Sequence, residues 1–282
     1  MIKVLCSTGA LITRFNGRDP RLIKGFLPRI EADGLEFMIY PAWDEKLPEV
    51  TKTMRRLIRD DGAFIPVLHM DKRIGELLSE GEEKGVREAR LRFSRCCDIA
   101  CELSAKLLVL HLWGGPASDR HIERNLAELP AFMEEAEALG LQLTVENVIC
   151  GGRTPLVHIK RIMEALPAAR FTIDTKMAEF HRELPATIAC DELWQGRVKH
   201  LHVNDYAGGE RDFKDLRVMH FGEGHVDFAP FFDKVKESGY EGFATVESTS
   251  VLPDGTVDFE RLNASLNAVR KGLINQRSGI GN

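Results

Sequence analysis

The sequence lacks the features of a membrane or secreted protein. None of its apolar runs approaches the ~20 residues that a helix needs to cross a bilayer. The first residues, MIKVLCSTG, have neither the basic region nor the long apolar region of a signal peptide. The six cysteines include no CxxC pair, and without a secretory signal a disulfide framework is not expected. We therefore expect a cytoplasmic protein.

The chain also has no excess of basic residues. Lys and Arg total 38 against 43 Asp and Glu, so the formal net charge is -5. Non-specific nucleic-acid binders draw their affinity from neutralised phosphates, so this balance disfavours such a role without excluding a local basic groove. Neither a Pro-, Gly- or Ser-rich linker nor a change in composition marks a boundary, so we expect one domain over residues 1–282.

Short β-branched or aliphatic segments alternate with longer amphipathic segments such as 82–104 and 258–273. This alternation is typical of parallel strands joined by crossover helices. Eight units in this length favour a single (β/α)8 barrel. A doubly wound open sheet is the alternative, but no GxGxxG follows the first strand. The predicted strands are 2–6, 34–39, 63–69, 105–112, 141–146, 170–174, 198–203 and 242–247.

The last four predicted strands alternate between apolar and polar side chains. In 141–146, for example, Leu143 and Val145 share one face, while Thr144 shares the other with the final glutamate. The polar faces end in groups that can hold a metal, at the end of the barrel where active sites are built. These groups are Glu146, Asp174, His202 and Glu247. Three carboxylates and one imidazole predict a site for one divalent ion such as Mn, Co, Mg or Zn.

Seven segments of the sequence form a pattern that resembles a known family. They are GLEFMIY (34–40), LLVLHLWGG (107–115), TVEN (144–147), TIDT (172–175), KHLHVND (199–205), the GEG within 221–228, and TVES (245–248). In this order they resemble the xylose-isomerase-like TIM barrels, which include sugar and sugar phosphate isomerases and epimerases, inosose dehydratases and endonuclease IV. The resemblance covers nearly the whole chain. It implies a divalent metal held by the same four residues that the alternation selects.

The chain departs from endonuclease IV in two of its metal-binding motifs. Endonuclease IV has histidines at the ends of its third and fourth strands, and these match His69 and His111 of this chain. However, the Asp-Thr-Cys-His motif of that enzyme reads Asp-Thr-Lys-Met at 174–177, and its Asp-x-His pair before the GEG motif is replaced by Leu216 and Val218. The ligands of a third metal are therefore missing, which disfavours phosphodiester cleavage of abasic DNA.

Three residues of strands two to four are expected around the pocket. His69 and His111, at the ends of strands three and four, line the pocket as donors to substrate hydroxyls or, alternatively, hold a second metal or belong to the core. Glu36, which faces inward on the second strand, binds a substrate hydroxyl or a neighbouring histidine. A buried ion pair at the barrel mouth is its structural alternative.

Three loop residues complete the expected substrate-binding set. Trp113 stacks on a sugar or closes the pocket, with packing under a surface loop as the alternative. Asn147 orients Glu146, and Lys176 neutralises a phosphate or carboxylate of the substrate unless it is a solvated loop charge. The resemblance also implies a substrate-contacting histidine after the strand-six aspartate, as in many sugar epimerases, but Met177 stands there, so the substrate is left open.

These residues predict a metal-dependent isomerase or epimerase of a sugar, sugar phosphate or related polyol or keto acid. Glu146 and Glu247 serve as proton acceptor and donor around an enediolate. Carboxylates on opposite faces would give epimerisation, one carboxylate acting on adjacent carbons would give isomerisation, and a base beside a β-hydroxyl would give dehydration of the inosose type. The other hypotheses are an endonuclease IV-like phosphodiesterase and a non-catalytic barrel that binds a polyol or acid. We expect a small-molecule partner, neither nucleic acid nor membrane, and leave homo-oligomerisation open.

Overall fold

Eight parallel strands close into a barrel in the computed structural model, which describes residues 2–274. Each strand pairs with its neighbours in the sequence, and the eighth pairs with the first. This confirms the prediction of a single (β/α)8 TIM barrel, although Met1 and 275–282 of the expected domain lie outside the described residues. The strands are β1 (Lys3–Ser7), β2 (Gly34–Met38), β3 (Val67–His69), β4 (Leu107–Leu110), β5 (Gln142–Glu146), β6 (Phe171–Asp174), β7 (Val198–His202) and β8 (Phe243–Val246).

Helices follow the strands and cover the outside of the barrel. Between residues 2 and 274, none of them is both long and apolar enough to cross a bilayer. The longer helices are α3 (Leu47–Asp61), α4 (Arg73–Glu80), α5 (Glu83–Glu102), α6 (Ile122–Ala138), α7 (Pro155–Ala165), α11 (Phe228–Glu237) and α12 (Phe259–Ile274). The short ones are α1 (Thr8–Leu11), α2 (Ile23–Phe26), α8 (Thr175–Phe180), α9 (Leu184–Ile188) and α10 (Asp191–Trp194).

Several strands are shorter than the apolar segments that predict them. The segment 63–69 contributes only the three residues of β3, because Pro66 has no N–H to donate to a ladder. Its carbonyl instead accepts from the backbone N–H groups of Lys106 and Leu107. The apolar residues before Pro66 therefore lie in the approach to the strand rather than in the sheet.

The barrel interior changes from apolar to polar along the strands. A small apolar cluster, separate from the main core, lies inside the barrel and consists of Leu5, Val67, Leu107 and Val109, with Phe243 packed against it. Towards the carboxyl ends the interior is polar, and the hydroxyls of Thr144 and Thr172 lie 2.7 Å apart. The fold thus places the chemically capable side chains at one end of the barrel.

Asp119 joins the loop after β4 to the loop after β5. Its buried carboxylate accepts from the backbone N–H groups of residues 151–153 at 2.7–2.8 Å, and His158 Nε2 lies 2.8 Å from Oδ2. Burial opposes ionisation, but His158 and the backbone donors outweigh it and hold the pKa of Asp119 below its usual range. This anchor fixes the chain that continues from Glu146.

Replacing Asp119 by Asn is expected to lower the free energy of unfolding at neutral pH by about 2–4 kcal/mol, because several charge-assisted hydrogen bonds are weakened at a buried site. Since the pKa of Asp119 is lowered on folding, its stabilisation is complete above the usual value of 3.8 and is lost as the pH falls below it. Urea denaturation at neutral pH and near pH 3 should show that the difference in the free energy of unfolding between wild type and Asp119→Asn is smaller in acid. The matched control is Asp98→Asn, which changes an exposed carboxylate on α5. An equal difference between wild type and Asp119→Asn at both pH values would contradict this account.

Candidate active site

The four predicted metal ligands meet at the carboxyl end of the barrel. Glu146, Asp174 and His202 end β5, β6 and β7, and Glu247 follows β8 directly. One ligand atom from each lies within 4.8 Å of the others. His202 Nδ1 is 2.9 Å from Glu146 Oε1 and 3.4 Å from Glu247 Oε2. Asp174 Oδ2 is 3.9 Å from the same nitrogen.

Asn204 links two of these carboxylates. Its Nδ2 donates to Asp174 Oδ2 and to Glu247 Oε2, both at 2.9 Å, and its Oδ1 accepts from the backbone N–H of Glu247 at 3.0 Å. The sequence analysis does not select Asn204 as a site residue. The signal was nevertheless present, because alternation along 198–204 places this residue on the same face as His202.

Glu36 lies behind His202 and does not line the cavity. His202 Nε2 is 3.1 and 3.2 Å from the two carboxylate oxygens of Glu36, while His200 Nε2 lies 2.7 Å from Oε2. Thr245 Oγ1 also donates to Oε2, at 2.7 Å. Burial raises the pKa of Glu36, but His202 and His200 outweigh it and lower that pKa well below the usual range. The sequence predicts that Glu36 binds a substrate hydroxyl or a neighbouring histidine. In the structure its carboxylate contacts histidines, His200 and His202.

His69 and His111 lie against the second oxygen of Glu146. His69 Nε2 is 3.3 Å and His111 Nε2 is 2.7 Å from Glu146 Oε2. Burial disfavours a charged His69, but the carboxylates, Glu146 foremost, outweigh it and raise the pKa of His69 to about 9. The three residues form a second group whose ligand atoms lie close together.

The donor set fits a divalent cation. Burial, together with the charges of Glu146 and Glu247, raises the pKa of Asp174 to about 7. Glu146 Oε2 and His111 Nε2 are buried, and within the described chain neither has a hydrogen-bond partner despite their short separation. Clustered buried carboxylates with an unsatisfied oxygen are the environment that a cation stabilises.

A cavity of about 660 Å³ opens at this end of the barrel. Glu146 and Glu247 line it, whereas Asp174 and His202 do not. His69, His111 and Lys176, three of the residues predicted to contact substrate, also line it. Two carboxylates of the four-residue cluster are therefore accessible to a bound molecule.

The sequence matches the model of the family described as xylose isomerase-like TIM barrel over residues 27–267. The chain belongs to this family. It is 26% identical over 145 residues to the inosose dehydratase of Lacticaseibacillus casei, covering 46% of this chain and 48% of the relative. The chain thus spans about half the length of the curated relatives it matches.

Solved structures share the fold of this xylose isomerase-like barrel over nearly its full length. The D-allulose 3-epimerase from Methylomonas sp., in complex with D-allulose, is 15% identical with a TM-score of 0.72 and covers 96% of both chains. The IolI protein, solved with a bound zinc atom, is 14% identical with a TM-score of 0.71 and covers 99% of this chain and 100% of its own. At these identities the likeness concerns the fold.

Besides Glu36, two more residues predicted to contact substrate do not line the cavity of this xylose isomerase-like barrel. Trp113 is fully buried and donates from Nε1 to the carbonyl of Val148 at 3.0 Å, so it packs under the loop after β5. This is the loop-packing alternative stated for it in the sequence analysis, and β4 already ends at Leu110. Asn147 exchanges two hydrogen bonds with the backbone of Asp174 and therefore positions that residue rather than the carboxylate of Glu146.

Sequence reasoning missed the walls of the cavity, which come from loops. The loop after β1 and the segment after β2 contribute nearly half of the lining residues, and neither has the strand alternation that selects inward-facing residues. The lining residues from these loops and from the turn after β3 include Arg14, Phe15, Arg18, Tyr40 and Lys72.

Proposed function

We propose that this chain is a divalent-metal-dependent isomerase or epimerase of a small hydroxy-carbonyl compound, a sugar, sugar phosphate or related polyol ketone or keto acid. One observation carries the proposal. Of the four clustered donors in the described residues, Glu146 and Glu247 alone line the cavity, and they come from β5 and β8. Two carboxylates therefore approach one bound molecule from separated parts of the barrel rim, as acid–base catalysis at carbon requires.

Glu146, Asp174, His202 and Glu247 would hold the metal ion, which supplies Lewis acidity to the carbonyl and hydroxyl oxygens of the substrate when bound. One glutamate removes the proton from the carbon next to the carbonyl, and the electron pair of that C–H bond moves into the enediolate. The other glutamate returns a proton to the opposite face of that carbon, which inverts its configuration. Return to the adjacent carbon by the same glutamate would give isomerisation.

His69 and His111 stand on the Glu146 side of the same cavity. Their Nε2 atoms face Glu146 Oε2, so these two rings position that carboxylate, and His69 Nδ1 is itself 3.2 Å from the carbonyl of Met70. Asn204 positions Glu247 through the hydrogen bond to Oε2. His202 contacts both glutamates, but their other neighbours differ, which supports separate roles.

The test is exchange of substrate C–H hydrogen with solvent. Protein loaded with Mn, Co, Mg or Zn is incubated in D2O with ketoses, ketose phosphates and keto-inositols, and NMR follows loss of the proton beside the carbonyl. We expect exchange with at least one compound, dependent on added metal and abolished by EDTA. Absence of exchange with all of these compounds and metals would refute the proposal.

Dehydration is a second candidate, supported by the sequence likeness to an inosose dehydratase. It predicts loss of water from a keto-inositol, which the same NMR spectra detect as a new unsaturated ketone. Phosphodiester cleavage has less support, because Lys176 and Met177 occupy the positions of a Cys-His pair. An abasic-site duplex incubated with zinc-loaded protein provides the corresponding assay, and we expect it to stay intact.

A further inference from the structure

The negatively charged residues that line the cavity belong to the metal-donor cluster, and the positively charged ones lie elsewhere on its wall. Its two carboxylates, Glu146 and Glu247, both belong to the metal-donor cluster. Apart from the histidines, the other charged lining residues are all cations, although the whole chain carries a net charge of -5. They are Arg14, Arg18, Lys72 and Lys176. Within residues 2–274 none of these four forms an ion pair with a carboxylate.

Lys176 is the most buried of these cations. It belongs to the first turn of α8, and only 5% of its surface is exposed. Its ammonium group lies 4.0 Å from Met177 Sδ, and a thioether is a weak acceptor. Its charge also acts to lower the pKa of the nearby Asp174 against the larger effect of burial, but the two side chains form no ion pair. Lysine is rarely buried without a partner, because desolvating an ammonium group is costly. A buried ammonium that faces a cavity therefore favours an anionic group within that cavity.

Arg18 is held at the cavity wall by its backbone. Its φ of 48° lies in the left-handed region, which is unusual for a residue other than glycine. Its N–H donates to the Thr13 carbonyl at 2.8 Å, and its carbonyl accepts from Trp43 Nε1 at 3.1 Å. The guanidinium carbon lies 5.1 Å from the centre of the Tyr40 ring. The loop is thus fixed around this one side chain.

One donor of Arg18 is not satisfied by the described part of the protein. Its Nε is buried and has no hydrogen-bond partner in the described part of the chain. Buried polar atoms in native proteins nearly always have a partner, so the guanidinium of Arg18, which lines the cavity, has hydrogen-bonding capacity that the described part of the chain leaves unused. A planar guanidinium suits a carboxylate or a phosphate, which can accept two of its N–H groups together.

We propose that the substrate of this cavity is anionic, and that its carboxylate or phosphate is recognised by Arg18 and Lys176. This inference rests on the proposed function, which makes the cavity a substrate site. It narrows the substrate class of the protein to sugar phosphates and sugar acids. The metal donors then attract the hydroxy-carbonyl end of the molecule, while the cationic wall attracts its anionic end. Arg14 and Lys72, which are exposed at the same cavity, raise the local concentration of anions.

The test measures anion binding and needs no turnover. Isothermal titration calorimetry of the Mg-loaded protein uses inorganic phosphate, glycolate and, as a neutral counterpart, glycerol. We expect saturable binding of at least one anion and none of glycerol at the same concentrations. Arg18→Gln and Lys176→Gln should each weaken anion binding at least about tenfold, the loss expected when a charged hydrogen bond is removed. Preference for phosphate or for glycolate distinguishes a sugar phosphate from a sugar acid.

Two exposed cations provide matched controls. Arg56→Gln changes a cation on α3 outside this cavity, and Lys84→Gln changes one on α5. Neither should alter anion affinity. Equal anion binding by wild type, Arg18→Gln and Lys176→Gln would overturn the proposal, as would binding that EDTA abolishes but both variants retain, since the anion would then be held by the metal alone. Anion binding that depends on Arg18 and Lys176 without C–H exchange would support this inference and refute the proposed function.

Discussion

Glu247→Gln is expected to lower the rate of substrate interconversion by about 10²–10⁴-fold, the usual contribution of general acid–base catalysis. If the two glutamates act on opposite faces, its effect on solvent exchange should also differ between the two epimers. The epimer whose proton points towards Glu146 should still lose it to D2O, while the other epimer should not. In Glu146→Gln, only the epimer whose proton points towards Glu247 should exchange it. NMR of each purified epimer, with metal content measured for every variant, checks this.

The matched control for both variants is Glu137→Gln, which changes an exposed glutamate of α6. It should leave interconversion and exchange unchanged. Exchange that disappears for both epimers in one variant and persists for both in the other would contradict the two-face arrangement, and would favour a single base that moves the proton between adjacent carbons.

The second large effect is expected at a residue outside the cavity. Glu36→Gln should weaken metal binding by about 10–100-fold, because a carboxylate behind a ligating imidazole fixes its tautomer and raises its basicity. In this structure Glu36 faces His202 Nε2, which leaves Nδ1 towards Glu146 and Glu247. Competition with a chelator measures metal affinity, and circular dichroism during heating measures the stability of the fold.

Thr245→Val is the matched control for Glu36. It removes a hydrogen bond at 2.7 Å to Glu36 Oε2 but leaves the contact with His202 in place. We expect little change in metal affinity and a modest loss of thermal stability. If both variants weaken metal binding equally, Glu36 acts by supporting the fold around it rather than by orienting His202.

The sequence predicts the barrel and the four clustered donors because both depend on strand periodicity. Alternation between two faces is a local property, so Glu146, Asp174 and His202 can be assigned to one face without knowledge of the fold. Closure of the barrel then brings these strand ends together. The resemblance to the family reinforces the same assignment and the same metal site.

The residues whose positions the sequence does not predict lie in loops, beyond the ends of the strands. Trp113 comes three residues after β4, where alternation no longer reports direction, and it packs inward under a loop. Arg18 has a backbone conformation that its own residue type disfavours, and the contacts that hold it come from Thr13 and Trp43. Tertiary contacts of this kind fix a loop side chain, and they leave no repeating pattern in the sequence.

The apolar cluster of Leu5, Val67, Leu107 and Val109 has a consequence for turnover. It fills the barrel interior below the site, so reactant and product must use the same mouth, where the loops after β1 and β2 stand. For the proposed isomerase or epimerase, reactant and product therefore compete for this one cavity. Net flux through this protein is therefore expected to depend on how quickly a following reaction removes that product.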